Sequence, residues 1–200
     1  MDRVRLAAPG EPLTRALLGL TAFALAVLVL AGAGSGSDEQ RTPQERFTLD
    51  DARAFDDHPL YFAGERVDGY PLVAVLRRSD TAEFVSFVYG DCTPADDMGC
   101  VPPIEIQVWP ACRRHFALYG SSPTGPVVER TVVRGVPAVV LDGGAQLELQ
   151  TGRSTIVVFG GSHGRVSRVA RALRAVGGSP SASQALPSPE QGALEGDLRC

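Results

Sequence analysis

The chain has 200 residues, 44% hydrophobic and 21% charged, which is enough for one domain with a packed core. Its formal net charge of −4 argues against nucleic-acid binding, because such proteins present a positively charged surface. All 19 basic residues are Arg, and the chain contains neither Lys nor Asn. Since Lys and Asn have A/T-rich codons, this composition indicates a G/C-rich bacterial genome.

An apolar segment near the N-terminus predicts targeting to a membrane. Residues 1–15 contain three Arg, and residues 16–33 follow with Thr21 as their only polar side chain. A helix over these 18 residues would be roughly 27 Å long, close to the ~30 Å hydrocarbon core of a bilayer. Because positive charge stays on the inner side, we expect residues 1–15 in the cytoplasm and the rest of the chain outside it.

Two forms of this segment remain open. A retained single-pass anchor fits its length, since the apolar part of a cleaved signal usually runs about 7–15 residues. A secreted form cleaved near Ala33 fits the small residues Ala31-Gly32-Ala33. In both forms, residues 34–47 are predicted to be a flexible linker of Gly, Ser, Gln and charged side chains.

The following region, 48–176, is predicted to be an α+β domain. A short helix over 49–56 should begin after Thr48, because a hydroxyl cap and acidic residues suit the first turn of a helix. Six segments are predicted as strands because they are apolar runs or alternate between apolar and polar residues: 72–76, 84–88, 104–109, 138–141, 145–150 and 155–159.

Two longer helices are predicted, over 111–119 after Pro110 and over 164–176, each with an apolar stripe at helical spacing. Each follows a predicted pair of strands, which suggests a repeat of hairpin and helix. The expected architecture is an antiparallel sheet of about six strands covered on one face by these two helices. The tail, 177–200, has 11 Gly, Pro and Ser among 24 residues and is predicted to be disordered.

Four cysteines follow the apolar segment, on the side where disulfides form and persist. Cys92 and Cys100 flank the loop between two predicted strands, so we expect a disulfide there, contributing on the order of 2.5 kcal/mol. Cys112 lies on the apolar side of a predicted helix, which favours a buried thiol over pairing with Cys200. Without a C-x-x-C pair or an adjacent His, the cysteines do not predict a zinc site.

The sequence contains one formal match to a catalytic motif. Residues 160–164 read G-x-S-x-G between a predicted strand and helix, the setting of a nucleophilic Ser162. In hydrolases with that motif a His follows the Ser at a distance along the chain, and here no His follows His163. A strand-to-helix loop with Ser162 near the helix cap explains the motif better, and its N–H groups could also meet an anion.

The remaining candidates do not converge on a site. His58 and His115 are predicted to be surface or half-buried residues. Asp91, Asp96 and Asp97 lack the spacing of a calcium loop. Three aromatic residues are predicted to belong to the core: Trp109, Phe116 and Tyr119.

The sequence therefore predicts no catalytic, cofactor-binding or metal-binding residues. The leading hypothesis is a non-enzymatic, membrane-anchored extracytoplasmic domain that binds an envelope component or a protein partner, with the membrane contacted through residues 16–33. The alternatives are an exported enzyme whose catalytic residues are scattered along the chain, and a structural or accessory subunit of an envelope complex.

Overall fold

The computed structural model describes residues 45–79, 83–93, 99–119, 129–178 and 184–200. Every described residue belongs to one compact unit, Gln40–Cys200. The predicted membrane segment, 16–33, therefore lies outside the described residues. Within the described ranges, no helix combines the length and apolar character that crossing a membrane requires.

The described residues form a mostly β structure with few helices, as the α+β prediction requires. In chain order the elements are β1 (Glu45–Phe47), α1 (Leu49–Ala54), β2 (Tyr61–Phe62), β3 (Arg66–Val67), β4 (Tyr70–Arg78), β5 (Phe84–Tyr89), β6 (Ile104–Pro110), a 3₁₀ helix (Phe116–Tyr119), β7 (Glu129–Val133), β8 (Val136–Leu141), a second 3₁₀ helix (Asp142–Gly144), β9 (Gln146–Thr151), β10 (Ser154–Phe159), α2 (His163–Ala172) and β11 (Arg174–Ala175).

The main sheet has the strand order β1-β4-β5-β6-β10-β9-β8-β7, and all neighbouring strands are antiparallel. It consists of two three-stranded meanders, β4-β5-β6 and β8-β9-β10, joined where β6 pairs with β10. The six predicted strands are the six strands of these meanders. Asp142-Gly143-Gly144, a sequence typical of a hairpin turn, follows β8. Ala145 N donates to Asp142 O at 3.1 Å, and Gly143 takes the positive φ of 62° that the turn needs.

One face of the sheet carries the main apolar core, because alternate side chains of each strand point to the same side. Both α-helices pack against this face, α1 through Ala52 and α2 through an apolar stripe. Twelve core side chains come from five strands: Val85, Phe87, Tyr89, Ile104, Ile106, Val108, Ala138, Val140, Leu147, Leu149, Ile156 and Val158.

The helix α1 begins where the sequence predicts it. Thr48 and Asp51 form a capping box, in which Asp51 N donates to Thr48 Oγ1 at 3.0 Å and Thr48 N donates to Asp51 Oδ2 at 2.9 Å. Hydrogen bonds that the Thr48 hydroxyl and Thr48 N donate to the Asp51 carboxylate lower the pKa of Asp51. The end of the predicted linker is ordered, since residues 45–47 form β1 and pair with β4.

The helix α2 ends at Ala172, four residues before the predicted end at residue 176. Leu173 leaves the helical conformation with ψ of 140°, and β11 then pairs with β2. This second strand pair crosses the core face, where Tyr89 OH donates to Gly64 O at 3.0 Å and accepts from Ala63 N at 2.9 Å. Tertiary pairing therefore replaces the last turn of the predicted helix.

The predicted helix over 111–119 does not form. Ala111 N donates to Arg153 O at 2.8 Å, which extends the strand pairing past Pro110, and only Phe116–Tyr119 form a 3₁₀ helix. Phe116 packs against Val139 and Leu141, which point to the sheet face opposite the main core. The two helices on the core face are thus α1 and α2, not the predicted pair.

The tail differs from the predicted disorder over residues 184–200. Leu186 is 7% exposed and joins the main core. Two backbone hydrogen bonds connect the tail to the β9–β10 turn, from Glu190 N to Gly152 O at 2.9 Å and from Gly152 N to Ser188 O at 3.2 Å. A segment rich in Gly and Pro lacks a periodic apolar pattern, but these long-range contacts order it.

Two disulfides are present in the described residues. Cys92 and Cys100 are joined with a Cα–Cα distance of 5.9 Å, the pair that the sequence predicts. Cys112 and Cys200 are joined with a Cα–Cα distance of 5.5 Å, so the predicted buried thiol at Cys112 is wrong. Because the segment after Pro110 is a turn instead of a helix, Cys112 is half-exposed and within reach of the tail.

The two disulfides should differ in their contribution to stability. In the chain-entropy treatment, Cys112→Ser/Cys200→Ser should lower the free energy of unfolding by about 4.5 kcal/mol. Cys92→Ser/Cys100→Ser should lower it by about 2.5 kcal/mol. The reason is the sequence separation of 88 in the first pair and 8 in the second. Urea unfolding of both double variants and the parent chain measures the losses; equal losses would contradict the loop-length explanation.

Candidate functional site

The motif at residues 160–164 forms the loop before α2. Ser162 is the residue that precedes the helix, and its exposed side chain makes no capping hydrogen bond. His163 is exposed in the first turn. Within the described part of the chain, no hydrogen bond links the Ser162 hydroxyl to a base, so the arrangement matches a strand-to-helix loop.

The other residues considered in the sequence are dispersed. Asp91 is exposed in the β5–β6 loop, whereas Asp96 and Asp97 lie outside the described residues. Trp109 is half-buried and stacks on Phe84 with ring centroids 4.4 Å apart. Over the described ranges, no group of three or more His, Cys, Asp or Glu is placed to hold a metal ion.

A cavity of about 360 Å³ opens at the end of the sheet where β6 finishes and the β9–β10 turn begins. Its size lies within the range of about 300–1,000 Å³ that is typical of ligand sites. Five chain segments meet there: the end of α1, the β4–β5 connection, the residues after β6, the β9–β10 turn, and the tail. The cavity is therefore built from residues that are far apart in the sequence.

The cavity has an apolar wall and a charged rim, whose residues are all partly or fully exposed. Phe55, Phe84, Val85 and Leu198 supply apolar surface, and the Cys112–Cys200 disulfide forms part of the same wall. The charged lining residues are Arg77, Arg78, Arg153, Asp57 and Glu83. Three guanidinium groups against two carboxylates leave a formal side-chain charge of +1 when His58 is neutral.

The rim arginines take part in ion pairs with long distances. Arg77 lies 3.4 Å from Asp57, with side-chain exposures of 38% and 64%. Arg153 lies 3.4 Å from Glu190, which belongs to the tail. Exposed pairs of this kind contribute little, about 0–1 kcal/mol, so a bound anion can compete for the guanidinium groups.

His58 is the titratable group that lies deepest in the cavity wall. It is buried, its ring packs edge-on against Phe55 at 5.0 Å, and Nε2 lies 3.4 Å from Val108 O. Burial lowers the pKa of His58 below its ordinary value of 6.5, although the hydrogen bond to Val108 acts in the opposite direction. The imidazole is therefore neutral near pH 7.

The lowered pKa of His58 predicts a loss of stability in mild acid. As the pH falls through 6.5, the unfolded chain takes up a proton at this residue while the folded chain resists it, so the free energy of unfolding decreases. His58→Gln should flatten this dependence, measured by urea unfolding between about pH 7.5 and 5.5. His163→Gln, at an exposed position, is the matched control and should keep the parent slope.

A polar cluster lies on the sheet face opposite the main core, and it centres on Glu148 in β9. Glu148 is 0% exposed, and its carboxylate accepts hydrogen bonds from Arg114 Nε at 3.1 Å, Tyr119 OH at 2.7 Å and Gln146 Nε2 at 2.6 Å. Burial acts to lower the pKa of Arg114, but the hydrogen bonds and charge of Glu148 outweigh it and raise that pKa. Burial and the charge of Glu148 raise the pKa of Tyr119, which therefore stays a donor.

The hydrogen bonds of this cluster hold the segment after β6 against the sheet. The carboxylate of Glu148 is saturated by donors from three residues, which suits a structural role. Gln146, Glu148 and Gln150 alternate with apolar residues along β9, and all three are buried. They are buried because the residues that cover them come from other parts of the chain.

The cluster predicts a large effect of removing one partner alone. Glu148→Leu leaves the guanidinium of Arg114 without its carboxylate and should cost about 3–5 kcal/mol of unfolding free energy. The double variant Glu148→Leu/Arg114→Leu should lose clearly less, because no unpaired charge remains. Urea unfolding of both variants measures the difference; equal losses would show that the pair acts only through packing.

The sequence does not predict two parts of the cavity. It predicts His58 to be a surface or half-buried residue, but this side chain is buried. It favours a buried thiol at Cys112, but Cys112 pairs with Cys200. No short motif marks either residue, because their neighbours in the cavity come from distant segments. The even number of cysteines is the one signal in the sequence, because four cysteines favour two disulfides wherever thiols are oxidised.

Comparison with known proteins gives no further assignment. The chain matches no protein-family model, no curated protein and no solved structure. The cavity and the targeting signals of the sequence are therefore the features that bear on the function.

Proposed function

We propose that this protein is a non-enzymatic, membrane-attached extracytoplasmic domain that binds a small component of the cell envelope in the cavity beside Cys112–Cys200. The observation that carries the proposal is the cavity of about 360 Å³, which combines an apolar wall with an arginine rim. Ligand sites are typically concave and combine apolar surface with placed polar groups. This cavity also combines the two, with seven polar or charged residues among its fourteen lining residues.

The disulfides support the extracytoplasmic location. All described cysteines are paired, and such pairs are typical of exported proteins because the cytoplasm keeps thiols reduced. Attachment to the membrane rests on the sequence of residues 16–33, and the secreted form cleaved near Ala33 is the alternative.

The lining residues favour a ligand with an apolar body and a carboxylate or phosphate group. Phe55 and Phe84 offer aromatic surface, and guanidinium groups suit planar anions because they can donate two parallel hydrogen bonds. Arg77 and Arg153 keep 38% and 56% of their side chains exposed, so both can be reached from solvent.

An exported enzyme is the second candidate, and the position of His58 in the cavity wall favours it. A neutral imidazole in a cavity can accept a proton. However, in the described part of the chain His58 hydrogen bonds to no hydroxyl or carboxylate, and its contact is with the carbonyl of Val108. The geometry gives binding more support than catalysis.

Binding is tested with 1-naphthoate, an aromatic carboxylate, on the full chain in phosphatidylcholine nanodiscs by saturation-transfer NMR. We expect Arg77→Gln to weaken binding about tenfold, because a charge-assisted hydrogen bond contributes about 1.5–3 kcal/mol. Arg171→Gln removes an equal charge from α2, away from the lining residues, and should bind as the parent does. Equal binding by the two variants, or none by the parent, would contradict the proposal.

The location is tested with a reporter enzyme that is active only outside the cytoplasm, fused after residue 44. Activity of the fusion is the expected outcome, because the positive residues before the apolar segment should stay inside. A silent reporter in a stably produced fusion would overturn the extracytoplasmic placement.

A further inference from the structure

The last six residues of the tail, 195–200, lie against the cavity but are weakly held. Leu198 and Cys200 line the cavity. Gly196 N and Asp197 N donate to Gly192 O at 3.0 and 2.9 Å, which forms only a local turn. Apart from these two bonds to Gly192, no hydrogen bond or ion pair in the described ranges joins residues 195–200 to the domain, so the Cys112–Cys200 disulfide is their tether.

The tail before this turn is held much more firmly. Ala193 is buried and its carbonyl accepts from Gln150 Nε2 at 3.1 Å. Ala117 N donates to Leu194 O at 3.2 Å, and no described residue after Leu194 has a backbone hydrogen bond to another segment. Leu186 lies in the main core. The boundary between the anchored and the tethered part therefore falls directly after Leu194.

We propose that residues 195–200 form a flap that the Cys112–Cys200 disulfide holds closed over the cavity, and that thiol–disulfide exchange opens it. This inference rests on the proposed function, since it describes how access to the same cavity is controlled. Opening removes Leu198 and Cys200 from the wall and leaves the rest of the domain in place.

The glycines beside the boundary suit a hinge. Gly192 and Gly196 both have φ of +85°, a conformation that other residues rarely adopt. A Cβ at Gly196 would lie 2.6 Å from His115 Nδ1, so only glycine allows the closed flap to pack on that ring. His115 Nδ1 is buried without a hydrogen-bond partner in the closed state, and opening would relieve this by admitting water.

The exchange chemistry starts at Cys200, which is exposed, whereas Cys112 is half-buried. A thiolate of an external dithiol attacks the Cys200 sulfur, forms a mixed disulfide and releases Cys112 as a thiolate, which takes up a proton. The second thiol of the reagent then attacks the mixed disulfide and releases the thiol of Cys200. The dithiol loses two electrons and becomes a cyclic disulfide, and the protein disulfide gains them.

The flap is tested by hydrogen exchange with mass spectrometry on the full chain in phosphatidylcholine nanodiscs. In Cys112→Ser/Cys200→Ser we expect the amides of Gly196 and Asp197 to exchange at least about tenfold faster than in the parent, with residues 186–193 unchanged. Cys92→Ser/Cys100→Ser is the matched control and should leave residues 195–200 as in the parent. Unchanged exchange at Gly196 and Asp197, or faster exchange throughout 186–193, would overturn the flap.

A second variant tests the flap without relying on correct folding of the double Ser variant. Gly196→Ala keeps the disulfide but pushes the flap away from His115, so exchange at Asp197 should again rise while residues 186–193 stay protected. Parent-like exchange at Asp197 would count against the flap.

Binding of 1-naphthoate separates this inference from the proposed function. If the parent and Cys112→Ser/Cys200→Ser both bind, we expect about tenfold faster association and dissociation in the variant. Equal association and dissociation rates in the two chains would contradict the inference that the flap controls access to the cavity. The proposed binding function would then still hold. If neither chain binds, the proposed function fails, whereas the hydrogen-exchange result still decides whether the flap exists.

Discussion

The structure depends above all on the antiparallel pairing of β6 with β10. This pair joins the two meanders, with Val157 opposite Gln107 and Ser154 opposite Pro110. Its register places Ile106 and Val158 on the same face, so both meanders contribute to one apolar core. A slip by one residue would turn the core side chains of one meander toward the opposite face. The cavity lies at the end of this same strand pair, where the chain leaves Pro110.

The opposite face of the sheet presents a different physical problem, because it buries polar side chains. Glu148 satisfies its carboxylate with donors from Arg114, Tyr119 and Gln146. Gln150 Nε2 donates to Thr155 Oγ1 at 3.0 Å and to the tail at Ala193 O. Buried polar groups of this kind are stable only when they are hydrogen bonded. The tail is therefore part of the domain, and it also supplies one wall of the cavity.

The features that the sequence predicted correctly are those that depend on near neighbours. The strands followed from apolar runs and alternation, and the β8–β9 hairpin from the Asp-Gly-Gly turn. The start of α1 followed from Thr48 and Asp51, which are three residues apart and cap one another. The Cys92–Cys100 pair flanks a single loop, so closeness in sequence was a sufficient guide. Of the site, the sequence offered only the exported setting and the cysteine count.

By itself the sequence determined that the chain forms an antiparallel α+β domain and carries the marks of an exported protein, because periodicity, turn residues and targeting segments act locally. Only the tertiary structure decided that 111–119 forms a turn and a 3₁₀ helix beside Glu148, that the tail is ordered over 184–200, and that Cys112 pairs with Cys200. It also brought His58, Arg77 and Arg153 to one cavity. Each of these outcomes is set by hydrogen bonds, packing or covalent links between segments far apart in the chain. Such contacts outweigh local preference because burial, and the pairing of buried polar groups, depend on the whole fold.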